Sequence, residues 1–401
     1  MDERARGIPP NLILVMMIAS AVAAACALLP VTGPTASDFA LFIDSWMKAI
    51  HDRGLASLSG DFSAYTPPYI YLLNLASMIE PRVGTVAAVK LINVPFVISC
   101  AAGIGAIVRQ VTADKDRGTI AAAVTIVCPS LLINSFAQGQ CDAIFTSCLI
   151  WFVYFAIRNR LGLACLMFGL AFSFKQQAIF LSPLLLTLIL WRRMTIRYLL
   201  IVPATYVVMM VPAALAGRPW SELLTIYLRQ TELNHVLSLN APNPWWFLNR
   251  GVAYGAGVAI GLLLSTAVGL LLVFRSLRMP RNAFSLLLLG TVASAVMPYI
   301  MPKMASRYFF VADLMSIALV LARPVLWPTA VLVQIGSLIA VMSYFFAAWG
   351  TAHLAFAPMT LGVCLLVYQL MVPEEPSSEG DEPSSFERSK QEVSSAELII
   401  R

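Results

Sequence analysis

The sequence predicts an all-α polytopic membrane protein with about twelve transmembrane helices, and three observations carry that expectation. Hydrophobic residues make up 59% of the chain and charged residues only 12%, about half of the ~25% charge that a soluble domain uses to cover its surface. Apolar runs that approach the ~20 residues needed to cross a ~30 Å hydrocarbon layer recur along the chain. No series of short period-two segments is present, which speaks against an outer-membrane barrel. The mean hydropathy of +0.79 agrees. A soluble enzyme is excluded.

Taken in order, the apolar runs fall at about 10–30, 87–108, 118–136, 141–157, 161–174, 176–191, 198–216, 252–274, 283–300, 307–322, 326–347 and 353–372. Several are short, and short or Pro- and Gly-interrupted spans belong where they line a cavity inside protein. Residues 69–79 follow Pro67-Pro68 and are too short to cross, so they are expected as a re-entrant or interfacial helix. On that reading the basic clusters Arg4/Arg6, Arg109/Lys115/Arg117, Arg158/Arg160, Arg192/Arg193/Arg197, Arg275/Arg278/Arg281 and Arg323 all fall on one side. The positive-inside rule makes that side cytoplasmic, with both termini on it. The N-terminal run reads as a span and not as a cleaved signal.

The membrane-embedded domain then covers 1–372, with outer loops at about 31–86 and 217–251. Residues 373–401 hold eight acids and three bases among many serines. Such a segment buries too little apolar surface to offset its ordering entropy, so it is expected to be a disordered cytoplasmic tail.

Seven cysteines, at 26, 100, 128, 141, 148, 165 and 364, lie mostly inside apolar runs without a C-x-x-C pair, as small packing residues do. The three histidines are isolated, so neither a metal site nor a cofactor is expected. The formal charge of +6 sets orientation and does not imply a nucleic-acid partner.

The unusual polar residues gather on the outer side. They are Asp38, Asp44, Asp52 and Asp61 in the first loop, Gln138, Gln140 and Asp142 in AQGQCDAIF, Lys175, Gln176 and Gln177 in SFKQQAIF, the run LSLNAPNPWWFLNR, and Lys303 and Arg307 in PKMASRYFF. An ionised residue at a bilayer centre costs about 2.5–3.5 kcal/mol on insertion scales, so Lys175, set between two short spans, should line a wet cavity. Lys303 and Arg307 at i and i+4 would present two cations on one side of a turn. Such cations suit an anionic ligand, although snorkelling to the interface is the plainer use of a lysine.

Residues 36–55 are amphipathic, with Phe39, Phe42, Ile43, Trp46 and Ile50 at helical spacing opposite Asp44, Lys48 and Asp52, as in a helix lying on the outer leaflet. Asp38 would sit in or just before its first turn, either as a cap or as a general base at the cavity rim. Tyr65 with Pro67-Pro68 would fix the angle of re-entry. Trp245 and Trp246 are either an interfacial belt or one wall of a sugar site, with Asn240 and Asn243 supplying amide contacts.

The succession D-x7-W from Asp38 to Trp46, GDFSAYTPPYIYLL, GQCDAIF, FKQQAIF, LNAPN and PKMASRYFF resembles the GT-C superfamily of polytopic glycosyltransferases. It is most similar to bacterial relatives of the GPI-anchor second mannosyltransferase. The resemblance covers about 36–310. It implies an inverting transferase that takes a sugar from a polyprenyl-phosphate donor to a hydroxyl on a lipid- or glycan-linked acceptor at the non-cytoplasmic face of the plasma membrane. It implies Asp38 as base, with Phe174, Lys175, Gln176, Lys303 and Arg307 at the donor phosphate, and the outer-side polar and aromatic residues Tyr65, Gln140, Asp142, Asn240, Asn243 and Trp245 are candidates for further substrate contacts. Many relatives read P-K-M-H-E-R-Y where this chain has Ala305 and Ser306, so the contacts made by that His-Glu pair are not available here.

Two other classes compete. A secondary transporter or lipid-linked-sugar flippase would line a path to both sides with Lys175, Asp142 and Arg307. A ligase of the O-antigen type would have a longer outer loop in its second half. The residues leave the sugar and acceptor open, and leave Asp44 and Asp61 as alternative bases.

Overall fold

A computed structural model describes residues 39–372 except 233, 250 and 347. The expected span at 10–30, the candidate base Asp38 and the acidic tail lie outside the described residues. Described elements are α1 (Asp44–Arg53), α2 (Pro67–Val83), α3 (Thr85–Thr112), α4 (Lys115–Ile126), α5 (Asp142–Ile157), α6 (Leu161–Phe174), α7 (Ser182–Leu190), α8 (Ile201–Leu215), α9 (Trp220–Gln230), α10 (Tyr254–Ser276), α11 (Ala283–Ile300), α12 (Phe310–Ala322), α13 (Trp327–Phe345) and α14 (Phe356–Met371). Short helical turns join several of them. Two two-residue strands, β1 (Ser238–Leu239) and β2 (Met304–Ala305), pair in parallel.

The chain is a multi-pass helical membrane protein. Among the described residues, six helices are long and apolar enough to cross: Thr85–Thr112, Ile196–Leu215, Tyr254–Ser276, Ala283–Ile300, Pro324–Phe345 and Gly350–Met371. Lys115–Ile126 and Pro129–Ala137, bent by 46° at the break before Pro129, make a seventh if counted as one broken span. The other expected runs are helical but short. α5 and α6, with 16 and 14 residues, reach only about 24 and 21 Å at 1.5 Å per residue. The apolar runs there end on charged residues, Asp142 and Lys175, that the protein keeps inside.

Burial separates helices that face lipid from helices that face protein. In α11, 89% of the best 18-residue window is buried, against 28% in α10, where Leu263 and Leu271 stand exposed. A helix apolar all round is stable either enclosed by protein, as α11 is, or facing hydrocarbon, as the exposed leucines of α10 require.

In the first outer loop α1 buries Trp46, Met47 and Ile50 and exposes Asp44, Lys48 and Asp52, as the amphipathic pattern predicts. Phe39 and Ile43 are buried in the turn before it. Phe42 departs from that expectation. It is 43% exposed, because Phe39–Ile43 winds as a wider π-turn and shifts the apolar face by about one position. The expected re-entrant piece at 69–79 is longer, spanning the 17 residues of α2. Pro67 and Pro68 start it where a missing N–H costs nothing. Its Tyr69, Ile70 and Leu73 pack inward while Leu75 and Met78 remain exposed and apolar, as in a helix lying along lipid.

Candidate functional site

The site begins with a hairpin. α5 and α6 run antiparallel across the turn Arg158, Asn159 and Arg160, where Asn159 takes the left-handed conformation at φ +55°. The first residue of α5 and the residue just after α6 therefore meet at the same end. These are Asp142 and Lys175. A carboxylate is favoured at a helix N-terminus and a cation at a C-terminus, so the two helix dipoles favour both placements. Lys175 Nζ donates to Asp142 Oδ1, and both side chains are buried.

Three further elements close on this pair. Arg307, in the helical turn Ser306–Phe309, brings Nε to 3.7 Å from Asp142 Oδ2. Asn134, just beyond the break in the α4 span, donates from Nδ2 to the same Oδ2 at 2.8 Å. Aromatic faces surround the ammonium. Lys175 Nζ lies 5.4 Å from the ring centre of Tyr65, 5.5 Å from Phe145 and 5.9 Å from Tyr308, within cation–π range. Two cations against one carboxylate leave a surplus positive charge away from bulk water.

The remaining polar atoms nearby are not all used. Asn134 Oδ1 and Gln177 Oε1 are buried without a hydrogen-bond partner among the described residues. A buried unsatisfied polar atom costs about 1–3 kcal/mol, so a polar ligand reaching them would gain their hydrogen bonds in full. Gln140 is buried at the bend before Asp142, held by its backbone. Its N–H donates to Asn134 O at 2.9 Å, and its carbonyl accepts from Asn93 Nδ2 at 3.0 Å. Gln176 is half-buried beside Lys175.

The first outer loop supplies the aromatic wall. Thr66 Oγ1 donates to Phe174 O at 3.1 Å, and Gln230 donates to Ala64 O, so Tyr65 is fixed on both sides. Tyr65 packs at a tilt against Trp46 at 5.2 Å and against Tyr69 at 5.5 Å between ring centres. Burial pushes its phenol up to about 12, partly opposed by Lys175. It therefore stays a neutral hydrogen-bond donor at ordinary pH. Phe39, the first described residue, packs its ring against Gly139 at the bend leading to Asp142. A Cβ on Gly139 would meet that ring at 2.9 Å, and its φ is +65°.

The alternative bases are placed differently. Asp61 is ion-paired to both Arg218 and Arg229, and Arg218 also reaches Glu222 at 3.5 Å, so this carboxylate ties the first outer loop to α9. Asp44 is exposed in the first turn of α1. Loss of hydration, with a smaller effect from the Glu80 carboxylate, raises its carboxyl above the ordinary value.

The structure does not join Lys303, Asn243 or Trp245 to the Asp142 group. An i, i+4 pairing of Lys303 with Arg307 needs a helical turn, but Lys303 adopts φ +64° and the chain passes through β2 before turning at Arg307. Lys303 Nζ donates to the carbonyls of Thr231 and Asn234 and to Tyr254 Oη, fastening the second outer loop. Asn243 donates to Pro298 O and Met301 O, each at 3.3 Å, and Trp245 Nε1 donates to Ile300 O at 2.6 Å. They satisfy the carbonyls that end α11. Asn240 is bridged to Ala305 and buried, with its Nδ2 lacking a partner among the described residues.

Asn134, Lys90 and Asp313 emerge as buried polar residues only in the structure. Each is a polar residue inside an apolar run, which is itself the signal. Lys90 is buried in α3 with no ion-pair partner among the described residues, and Asp313 accepts from Ser337 Oγ at 2.7 Å. No His, Cys, Asp and Glu grouping that could hold a metal occurs among the described residues. No known family model matches the chain, and no curated protein matches it significantly.

Proposed function

We propose that the chain is an inverting glycosyltransferase that moves a sugar from a polyprenyl-phosphate donor to a hydroxyl acceptor on the outer face of the membrane. The observation that carries this reading is the buried group of Asp142, Lys175 and Arg307, with its surplus positive charge, enclosed by aromatic rings at one end of the α5–α6 hairpin. A lipid phosphate needs cations held out of water and a route for its chain along the bilayer. Short helices bordering the group allow both. The same reading takes the twelve crossings expected from the sequence, with both termini in the cytoplasm of a bacterial inner membrane and the group on the outer side.

In the reaction the acceptor oxygen attacks the anomeric carbon and the bond from that carbon to the phosphate oxygen breaks. The polyprenyl phosphate leaves with an added negative charge, which Lys175 and Arg307 stabilise. The acceptor proton passes to Asp38, a contribution of about 10²–10⁴-fold for a positioned base. Its chain neighbour Phe39 is seated on Gly139, three residues from Asp142, which supports this assignment. Asp142 is a positioning residue that orients the two cations. Tyr65 serves as wall and donor.

One observation favours the second reading, export of a lipid-linked sugar. Asp313 is an acid buried inside α12, of the kind that marks a path through the membrane.

The test is transfer by the purified protein in nanodiscs, offered radiolabelled polyprenyl-phosphate sugars one at a time and analysed by thin-layer chromatography. One donor is consumed by the wild type, and Asp38→Asn slows it by roughly 10²–10⁴-fold. Undiminished transfer by Asp38→Asn overturns the base, and scrambling of donor across vesicles without transfer supports export instead.

A further inference from the structure

At the end of the hairpin opposite Asp142, a groove of about 780 Å³ lies between α3, α4 and α5. It exists because two helices cross closely there. A Cβ on Gly105 would stand 2.7 Å from Gly118 O, and one on Gly118 would stand 2.8 Å from Gly105 O. Three exposed cations line the groove: Arg109 near the end of α3, Lys115 at the start of α4 and Arg158 just after α5. Arg158 is steadied by donating to Gln110 Oε1 at 2.9 Å. No carboxylate lines the groove among the described residues. The nearby Asp114 is turned to the α4 N-terminus, accepting from the N–H groups of Asp116 and Arg117, and pairs with Arg117 at 3.3 Å.

The lining changes character with depth. Arg109 is near the helix end, whereas Ala106 and Ala102 lie three and seven residues further into α3, about 5 and 10 Å along the axis. Ala122 faces them from α4. The rim is cationic and the floor is small and apolar. A soluble anion would use the rim alone. A molecule with an anionic head and a hydrocarbon chain would use both.

We propose that this groove binds the headgroup of an anionic phospholipid, with an acyl chain seated over the Ala102 and Ala106 floor. Basic pockets between membrane helices hold such headgroups by the same combination of charge and apolar contact. The site is independent of the transferase reading, since it shares no residue with the Asp142 group.

Native mass spectrometry of the delipidated full chain in detergent tests this, with dioleoylphosphatidylglycerol, dioleoylphosphatidylcholine and glycerol phosphate as probes. The glycerol lipid binds in preference to the choline lipid. Arg109→Gln with Arg158→Gln weakens it roughly thirtyfold, from two lost cation contacts. Ala106→Leu, which fills the floor and leaves all three cations, weakens it too, and the melting temperatures of the variants confirm that they remain folded. Equal binding of the two lipids, undiminished binding by the arginine double variant, or displacement by glycerol phosphate at equal concentration overturns the proposal. The last outcome makes the ligand a soluble anion.

Discussion

The two ends of the α5–α6 hairpin carry basic residues in opposite circumstances. At one end Lys175 is 6% exposed, paired to Asp142 and ringed by aromatics. At the other, Arg158 and Arg160 are exposed around a left-handed Asn159. A charge in water at a helix end serves topology at little cost. A charge taken out of water is kept only where a counter-charge and hydrogen bonds hold it, and such a charge is then fixed in direction. The difference separates charges left at the surface from a charge held inside the protein within one supersecondary unit.

The sharpest way to break that contrast is Asp142→Asn. It leaves Lys175 and Arg307 facing one another without compensation, and removal of one partner of a buried pair costs about 3–5 kcal/mol. Chemical denaturation in mixed micelles measures it, and adding Lys175→Met recovers most of the loss. Next comes Asp61→Asn, which strips a carboxylate from Arg218 and Arg229. A hydrogen bond to a charged group is worth about 1.5–3 kcal/mol, so a loss in that range is expected. On the proposed transferase reading, transfer falls only as far as the outer loop loosens. Asn243→Ala frees two carbonyls at the end of α11 and costs about 0.5–1.5 kcal/mol. Arg160→Gln, at the exposed end, changes stability by less than about 0.5 kcal/mol.

The smallest effect concerns ionisation. Burial makes the Tyr65 phenolate unfavourable in the folded protein, so the folded value lies above the unfolded value of 10. Whatever stability this difference supplies is complete below pH 10 and is lost as pH rises towards about 12. Ultraviolet difference titration of wild type against Tyr65→Phe should show no phenolate from this residue at pH 10.

Much of the site was legible in the sequence because it depends on run boundaries. Two apolar runs that end on Asp142 and Lys175, joined by a three-residue turn, can only bring those residues together. Tyr65 before two prolines, and Arg307 before an apolar run, were visible for similar local reasons. Residues whose role is tertiary were not. Lys303 looks like a second phosphate cation by spacing, but its left-handed backbone turns it towards carbonyls 69 and 72 residues away. Asn243 and Trp245 look like a sugar wall by composition, yet they meet the end of α11, 55 and 58 residues on. Asp61 finds its arginines 157 and 168 residues away. The number of full crossings was illegible for a different reason. A run of 14 to 16 apolar residues reads the same whether it crosses lipid or borders a buried charged group.

Equilibrium binding of polyprenyl phosphate in nanodiscs probes the proposed seat of a lipid phosphate at the Asp142 group. Lys175→Gln keeps Asp142 within reach of Arg307 and Asn134, so the variant can be compared at equal folding, checked by melting temperature. Lys175→Gln is expected to weaken binding by about tenfold or more, as for loss of a charge-assisted hydrogen bond worth at least about 1.5 kcal/mol. Unchanged affinity in a folded Lys175→Gln protein would contradict it.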